Sequence, residues 1–422
     1  MNISQKTFPN GLSVIVSSIK DSPSVTMGVF VKTGSAYEKK EHNGISHFLE
    51  HLCFKGTSKR PRPRDITEEL EGMGAQYNAF TSRDMTGYYA KVAPRFFSKA
   101  FDVIADIYLN STFPEHEFEK EKGVIIEEMR MYEDFPRWKV GELMEQQLYG
   151  DQPAGWTIIG PEKTVQGISR DDVVAYKEKH YIPHNTVVVV AGPVRAQDVF
   201  KETERYFSHI STKKRTEPAK VKKHTPKGHM EYRKLDQTHF SLGFQTIPLA
   251  HKDRIPLVLL ANILGGGMAS RLFQVVREDK GAAYYIAAGN DFFTTHGYLK
   301  IFGGLNHKKS DEVYTLIAQE LKKIKKEGVS SEELKRVRDY TAGTFLLSVE
   351  SSSDIAFFLG EQACAQKEIR KPRDIVKEIY TYHEKDIMRI ARKYLKKEKL
   401  AVAAIGPRKE AAQKVFKAFK TI

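Results

Sequence analysis

The sequence predicts an α+β fold of two similar consecutive domains, each a mixed, mostly antiparallel sheet packed with helices. Three observations lead there. Strand-like runs of period two alternate with helix-like runs of period 3.6 along the chain. Residues 212 to 229 then change character, with Lys, Thr and Pro dominant and almost nothing to bury. Beyond them the first half is replayed: Val25-Thr26-Met27-Gly28-Val29-Phe30 has a counterpart in His239-Phe240-Ser241-Leu242-Gly243-Phe244, and Val189-Val190-Ala191-Gly192-Pro193 in Ala403-Ala404-Ile405-Gly406-Pro407. The offsets, 215 between Gly28 and Gly243 and 214 between Gly192 and Gly406, agree within one residue. The expected division is a domain at 1–211, a basic linker at 212–229 and a homologous domain at 230–422.

Taken in order, Phe8 to Val16 reads as two short strands joined by an Asn10-Gly11 hairpin turn. A strand from Val25 to Lys32 leads through Thr33-Gly34-Ser35 to a helix containing His47-Phe48-Leu49-Glu50-His51. Asp65 to Met73 reads as a helix closed by Gly72 and Gly74. Strands at Ala75–Thr81 and Gly87–Val92 follow, then helices at Phe96–Ser111 and Glu115–Tyr132, the latter with Pro114 as its start signal. A helix near Asp171–His180, an apolar strand at Thr186–Ala191 and a helix around Ala196–Phe207 complete the first half.

Composition narrows the function classes. With 41% hydrophobic and 28% charged residues, the 422-residue chain has the balance of a globular protein. Two cysteines, Cys53 and Cys364, cannot build a disulfide framework or a cysteine zinc site, which favours a reducing compartment. The start, Met1-Asn2-Ile3-Ser4-Gln5-Lys6, has no apolar signal core, and no run is apolar enough to span a bilayer. A cytoplasmic protein is the expectation, although a mature organellar chain would look the same. The net charge of +14 raises nucleic acid as a partner, but no recognised binding motif accompanies it. Its lysines cluster at 213–227, 322–326 and 396–399, as linkers and solvated helix ends do. Neither nucleic acid nor membrane is expected as a partner.

Chemistry concentrates between Asn43 and Thr57. At about 100° per residue His47, Glu50 and His51 share one helix face, with Ile45, Phe48, Leu49 and Leu52 opposite. Histidines at i and i+4 can reach one metal ion, with the glutamate beside them as a base. The plain alternative is a solvated polar face, and a third ligand is what would decide. On the helix from Glu115 to Tyr132, Glu121 and Glu128 lie seven residues apart on one line with Val124, Ile125 and Tyr132. A carboxylate on a packing face is costly unless paired. Glu128 as ligand and Glu121 as its support would meet that cost; an Arg or Lys partner for each would do so equally. Glu127, rotated by about 100°, is the weaker of the adjacent pair.

Here the chain resembles the pitrilysin or insulinase family of zinc peptidases, and within it the bacterial members similar to the catalytic subunit of mitochondrial processing peptidase. His47-Phe48-Leu49-Glu50-His51 with Phe54-Lys55-Gly56-Thr57 matches the family's inverted motif and flank, and Glu121 to Glu128 matches the segment carrying its third ligand, 77 positions after His51. The resemblance implies one zinc per chain on His47, His51 and Glu128, with Glu50 as base and Glu121 in support. It implies that Gln76 to Thr81, with Asn78, Ala79 and Phe80, is an edge strand taking a peptide as an added strand. Arg277 and Tyr284, with Tyr285 as competitor, resemble the second domain's substrate-contacting pair, Tyr284 also being a candidate oxyanion donor. At the repeat of the His helix, Asn262-Ile263-Leu264-Gly265-Gly266 has no metal ligands. The glycine-rich Gly265-Gly266-Gly267-Met268 is short, unlike the loop of the mitochondrial enzyme's non-catalytic subunit.

The implied activity is zinc-dependent endopeptidase cleavage of unfolded peptides or presequence-like segments in an enclosed chamber. Because family halves pair into a clamshell, a homodimer or a heterodimer with an inactive homologue is implied. A non-catalytic structural or assembly subunit is the competing expectation.

Overall fold

In the computed structural model, residues 2–365, 368–407 and 418–419 are described. The first sheet holds β1 (Asn2–Thr7), β2 (Ser13–Ser18), β3 (Val25–Val31), β4 (Gln76–Thr81), β5 (Thr86–Val92) and β6 (Thr186–Gly192) in the order β1-β2-β6-β3-β5-β4. The second holds β7 (Gly228–Tyr232), β8 (Gln237–Gln245), β9 (Ala283–Phe292), β10 (Gly297–Asn306) and β11 (Leu400–Gly406) in the order β7-β11-β8-β10-β9. Each sheet has one parallel pair, β2 with β6 and β7 with β11, and is otherwise antiparallel. The sequence repeat is therefore a repeat of topology. Gly28 sits in β3 paired with β6, Gly243 in β8 paired with β11, and β9 takes the edge position that β4 has in the first sheet.

Central strands β3 and β6 are buried along their whole length, as expected of near-continuous apolar runs covered on both faces. The Asn10-Gly11 turn is present, but β1 begins at Asn2 and the connection spans Phe8 to Leu12, closed by a bond from Phe8 N–H to Leu12 C=O of 2.8 Å. It is a five-residue loop, longer than the hairpin turn expected, because Phe8 and Leu12 are both drawn into the core.

Two compact units result. One comprises Met1–Met129, Thr157–Ala219 and Leu347–Lys371; the other comprises Arg130–Trp156, Lys220–Leu346 and Pro372–Ile422. This differs from a sequential division at 1–211 and 230–422. Helix Ser352–Ala365, from the second half, packs on β3 and β6, where Ile355, Ala356 and Leu359 meet Ile15, Phe30, Val187 and Val189. Helix Pro136–Tyr149, from the first half, packs on β8 and β11, burying Val140, Met144 and Leu148 against Ala401, Ala403 and Ile405. Amphipathic patterning reveals that a helix has an apolar face without revealing which sheet will cover it. The 212–229 stretch is extended but anchored: Ala219 N–H bonds Ala36 C=O, and Lys222 N–H bonds Gln152 Oε1. Among the described residues no helix is long and apolar enough to cross a membrane.

Candidate metal centre

The His helix is Ile45–Leu52, only eight residues, so its ends matter. Gly44, at φ +102°, turns the chain into it, and any side chain there would run into the Ile159 carbonyl. The N-terminus is capped from a distance. The buried Glu38 carboxylate accepts from Gly44 N–H (2.8 Å), Ser46 N–H (2.9 Å) and Asn43 Nδ2 (2.8 Å), placing negative charge against the positive end of the helix. Ile45, Phe48, Leu49 and Leu52 are buried as their spacing predicts. Phe48 stacks on Phe118 of helix Glu115–Glu133 with ring centroids 4.9 Å apart, which brings that helix's carboxylates beside the histidines.

His47 Nε2, His51 Nε2 and Glu128 Oε2 then form a nearly equilateral triangle with sides of 3.3, 3.5 and 3.6 Å. Among the described residues this is the one group of His, Cys, Asp or Glu side chains close enough to share an ion. His51 Nδ1 lies 2.9 Å from Glu121 Oε1, a bond that assigns a proton to Nδ1 and turns Nε2 towards the triangle. Burial, reinforced by the neighbouring His51, pushes the His47 pKa down to about 3, so that ring is neutral, whereas at His51 burial is outweighed by the Glu121 hydrogen bond and the charges of Glu50, Glu121 and Glu128, which hold its pKa above the usual value and favour positive charge at this spot. Two imidazole Nε2 atoms and a carboxylate oxygen thus converge on one point, a donor set that a shared cation satisfies and that holds positive charge at His51 in its place. Ligand distances of about 2.0–2.1 Å around tetrahedral zinc imply ligand–ligand separations of roughly 3.4 Å, so the donor set fits that ion.

The other predicted residues sort themselves clearly. Glu121 is 2% exposed; burial opposes its charge, but bonds from His51 and Lys55 outweigh burial and hold its pKa below the usual value. Glu127 is exposed, consistent with its rotation away from the site. Val124 is a correction: placed with the packing stripe, it is 45% exposed, and the buried stripe runs through Glu117, Phe118, Glu121 and Ile125. Val124 is rotated by about 60° from Glu121, onto the flank of the helix that solvent reaches. Glu50 sits beside the triangle, its pKa raised by burial against the opposing hydrogen bond from Thr81. Its Oε2 is buried without a hydrogen-bond partner.

β4 pairs only with β5 and is the sheet edge, with the His helix packed next to it. Asn78 is exposed, and its Oδ1 accepts from Ala79 N–H at 2.9 Å. The Phe80 ring packs against Phe30 and Phe357, so what this residue presents at the edge is its main chain. Arg277 and Tyr284 belong to the other unit and are exposed, Tyr284 by 74%. The β9–β10 register passes from Tyr285↔Gly304 to Ala283↔Leu305, leaving Tyr284 as the extra residue of a bulge. Tyr285 is held by the Arg137 guanidinium over its ring (4.4 Å) and by His239 Nδ1 at its hydroxyl (3.1 Å). Glu38, Lys55 and Thr81 escaped the sequence reading; the i, i+4 spacing of His51 and Lys55 was the signal available for Lys55.

Residues 13–162 match the model of the insulinase family, peptidase family M16, and residues 167–340 match the peptidase M16 inactive domain. An uncharacterised zinc protease of Bacillus subtilis is 36% identical over 406 residues, covering 96% of this chain and 98% of that protein. The chain belongs to the insulinase family. A second M16 relative, an uncharacterised zinc protease of Rickettsia felis, is 33% identical over 96% of this chain and 98% of its own length. The M16 fold recurs in a protease from Helicobacter pylori, with a TM-score of 0.90 at 24% identity over 96% of this chain and 99% of that one. A peptidase M16 inactive domain from Pseudomonas fluorescens aligns with a TM-score of 0.89 at 20% identity over 97% and 99%.

Proposed function

We propose that this insulinase-family chain is a zinc-dependent endopeptidase acting on unfolded peptides or presequence-like segments. The observation that carries the proposal is the triangle of His47 Nε2, His51 Nε2 and Glu128 Oε2 with sides of 3.3–3.6 Å. Those three residues would hold one zinc ion, which as a Lewis acid polarises the scissile carbonyl and acidifies water. Glu50 takes the proton of the attacking water and passes it to the leaving nitrogen, a role served by a carboxylate whose pKa burial has raised. The free edge of β4, through the main chain of Asn78, Ala79 and Phe80, would hold the peptide extended. Tyr284, re-aimed by its bulge and exposed, is the tyrosine available to substrate, whereas Tyr285 is occupied by Arg137 and His239. Arg277 is exposed on the same unit. The excess of Lys and Arg behind the net charge of +14 falls in the unit without the triangle, so overall basicity does not argue against cationic peptides.

A dimer, with itself or with an inactive homologue, and a cytoplasmic location belong to the same proposal. The test is zinc content together with cleavage of an unstructured quenched peptide. About one metal per chain is expected, with Glu50→Gln retaining zinc but losing at least about 100-fold in activity. Wild-type protein that binds no zinc and cleaves nothing across a broad peptide panel would make the chain a non-catalytic subunit. Native mass spectrometry gives the stoichiometry.

A further inference from the structure

We infer that Lys55 is a positioning residue of the metal centre, fixing the Glu121 carboxylate so that it holds His51 in the ligating orientation. The inference rests on the metal reading proposed above. The chain keeps turning after the His helix ends: Cys53 N–H bonds Leu49 C=O (3.1 Å), Phe54 N–H bonds His51 C=O (3.3 Å) and Lys55 N–H bonds Leu52 C=O (3.1 Å). His51 and Lys55, four residues apart, therefore share a face and reach the same carboxylate from one side. Each meets a different oxygen: His51 Nδ1 is hydrogen-bonded to Oε1 at 2.9 Å, and the Lys55 ammonium forms an ion pair with Oε2, 2.7 Å away, without hydrogen-bond alignment.

Glu121 is 2% exposed, so solvent does little to orient it. The terminal torsion of a glutamate is broad, and one partner would leave the carboxylate free to swing; two partners on opposite oxygens stop it. The imidazole plane of His51 is thereby set, and with it the direction of Nε2. His47 has no comparable support, its buried Nδ1 lacking a hydrogen-bond partner. The orientation of the centre thus depends on the Lys55–Glu121–His51 chain. Lys55 is itself held from behind. After Gly56, Thr57 N–H bonds Arg60 C=O (2.7 Å) and Thr57 Oγ1 donates to Asp106 Oδ2 (2.6 Å), tying the segment to the buried Arg60 cluster.

The test is zinc affinity of the full chain, by competition against a chromophoric chelator, for wild type, Lys55→Met, Lys55→Arg, Glu121→Gln and the Lys55→Met/Glu121→Gln double variant. Lys55→Met should weaken zinc binding about tenfold or more, while Lys55→Arg stays near wild type. In the Glu121→Gln background Lys55→Met should change affinity by less than about twofold, because both act through one chain of contacts. Thermal unfolding of the metal-free proteins separates a folding defect from a loss of orientation. Wild type that takes up stoichiometric zinc, with Lys55→Met binding it equally tightly, overturns the inference and leaves the metal centre standing. A Lys55→Met loss of the same size in both backgrounds also overturns it. Wild type without zinc removes the metal reading, and this inference with it.

Discussion

Removing the distant cap of the His helix, by Glu38→Ala, should open that helix without touching a metal ligand. Glu38 is 5% exposed and accepts from two main-chain donors, Gly44 and Ser46, and from the Asn43 amide. With the carboxylate gone, two amides at the start of an eight-residue helix lose their acceptor in a region with little water. At about 1–3 kcal/mol for each buried donor left unsatisfied, and with relaxation recovering part of it, the net loss is about 2–3 kcal/mol. That corresponds to a rise of roughly 30- to 150-fold in the population of the opened helix. Cys53, fully buried just past the helix C-terminus, supplies a local reporter. In a Cys364→Ser background its labelling by a thiol reagent should accelerate by that factor. Glu38→Gln, which keeps one acceptor, should fall in between. Labelling of Glu38→Ala within about twofold of the parent would show that the cap does not hold the helix, and would refute the reasoning.

Other consequences can be checked in parallel. Arg60, 4% exposed, bonds Glu69 (2.7 Å), Asp102 (2.7 Å) and Asp106 (2.8 Å), so Arg60→Met should cost about 3 kcal/mol in urea unfolding by taking the cation from the buried Asp106 and from the partly exposed Glu69 and Asp102. Burial, with Lys179 nearby, pushes the His180 pKa down to about 4, and its Nε2 has no partner. The unfolded chain therefore binds a proton here before the folded one does. Stability should drop as pH falls from about 6.5 to about 4, by up to about 3 kcal/mol, and His180→Gln should flatten that part of the profile of unfolding midpoints. Tyr284→Phe should lower kcat with unchanged thermal stability. Tyr285→Phe, which breaks the bond to His239, should lower the melting temperature.

Elements whose signals are local were legible in the sequence, and those decided by tertiary partners were not. The apolar positions Ile45, Phe48, Leu49 and Leu52 define the buried side of the His helix by spacing alone, and all four are buried. That Glu121 needs a partner was legible from its place on a packing face, but which partner was not: the spacing left His51 and a lysine equally open, and the structure gives it both His51 and Lys55. The same stripe misplaced Val124, since solvent reaches one flank of the helix there. Glu38 was invisible because a cap supplied from six residues upstream of Gly44 leaves no fixed spacing to read. Phe80 shows the converse limit: its strand is an edge, but its ring alternates to the face covered by Phe357, which arrives from far along the chain.

That late arrival has a consequence for how the protein is made. The face bearing Ile15, Phe30, Val187 and Val189 is complete once Gly192 has emerged from the ribosome, yet its cover, Ser352–Ala365, has still to be translated. At about 5–20 residues per second the intervening stretch of roughly 170 residues takes about 10–35 s, during which a sheet of buried character stands open. A fragment ending near residue 211 would remain in that condition permanently and should aggregate. For that interval the open face would be protected only by what the nascent chain meets, and co-translational capture of a chaperone on chains longer than about 192 and shorter than about 365 residues is the expected signature.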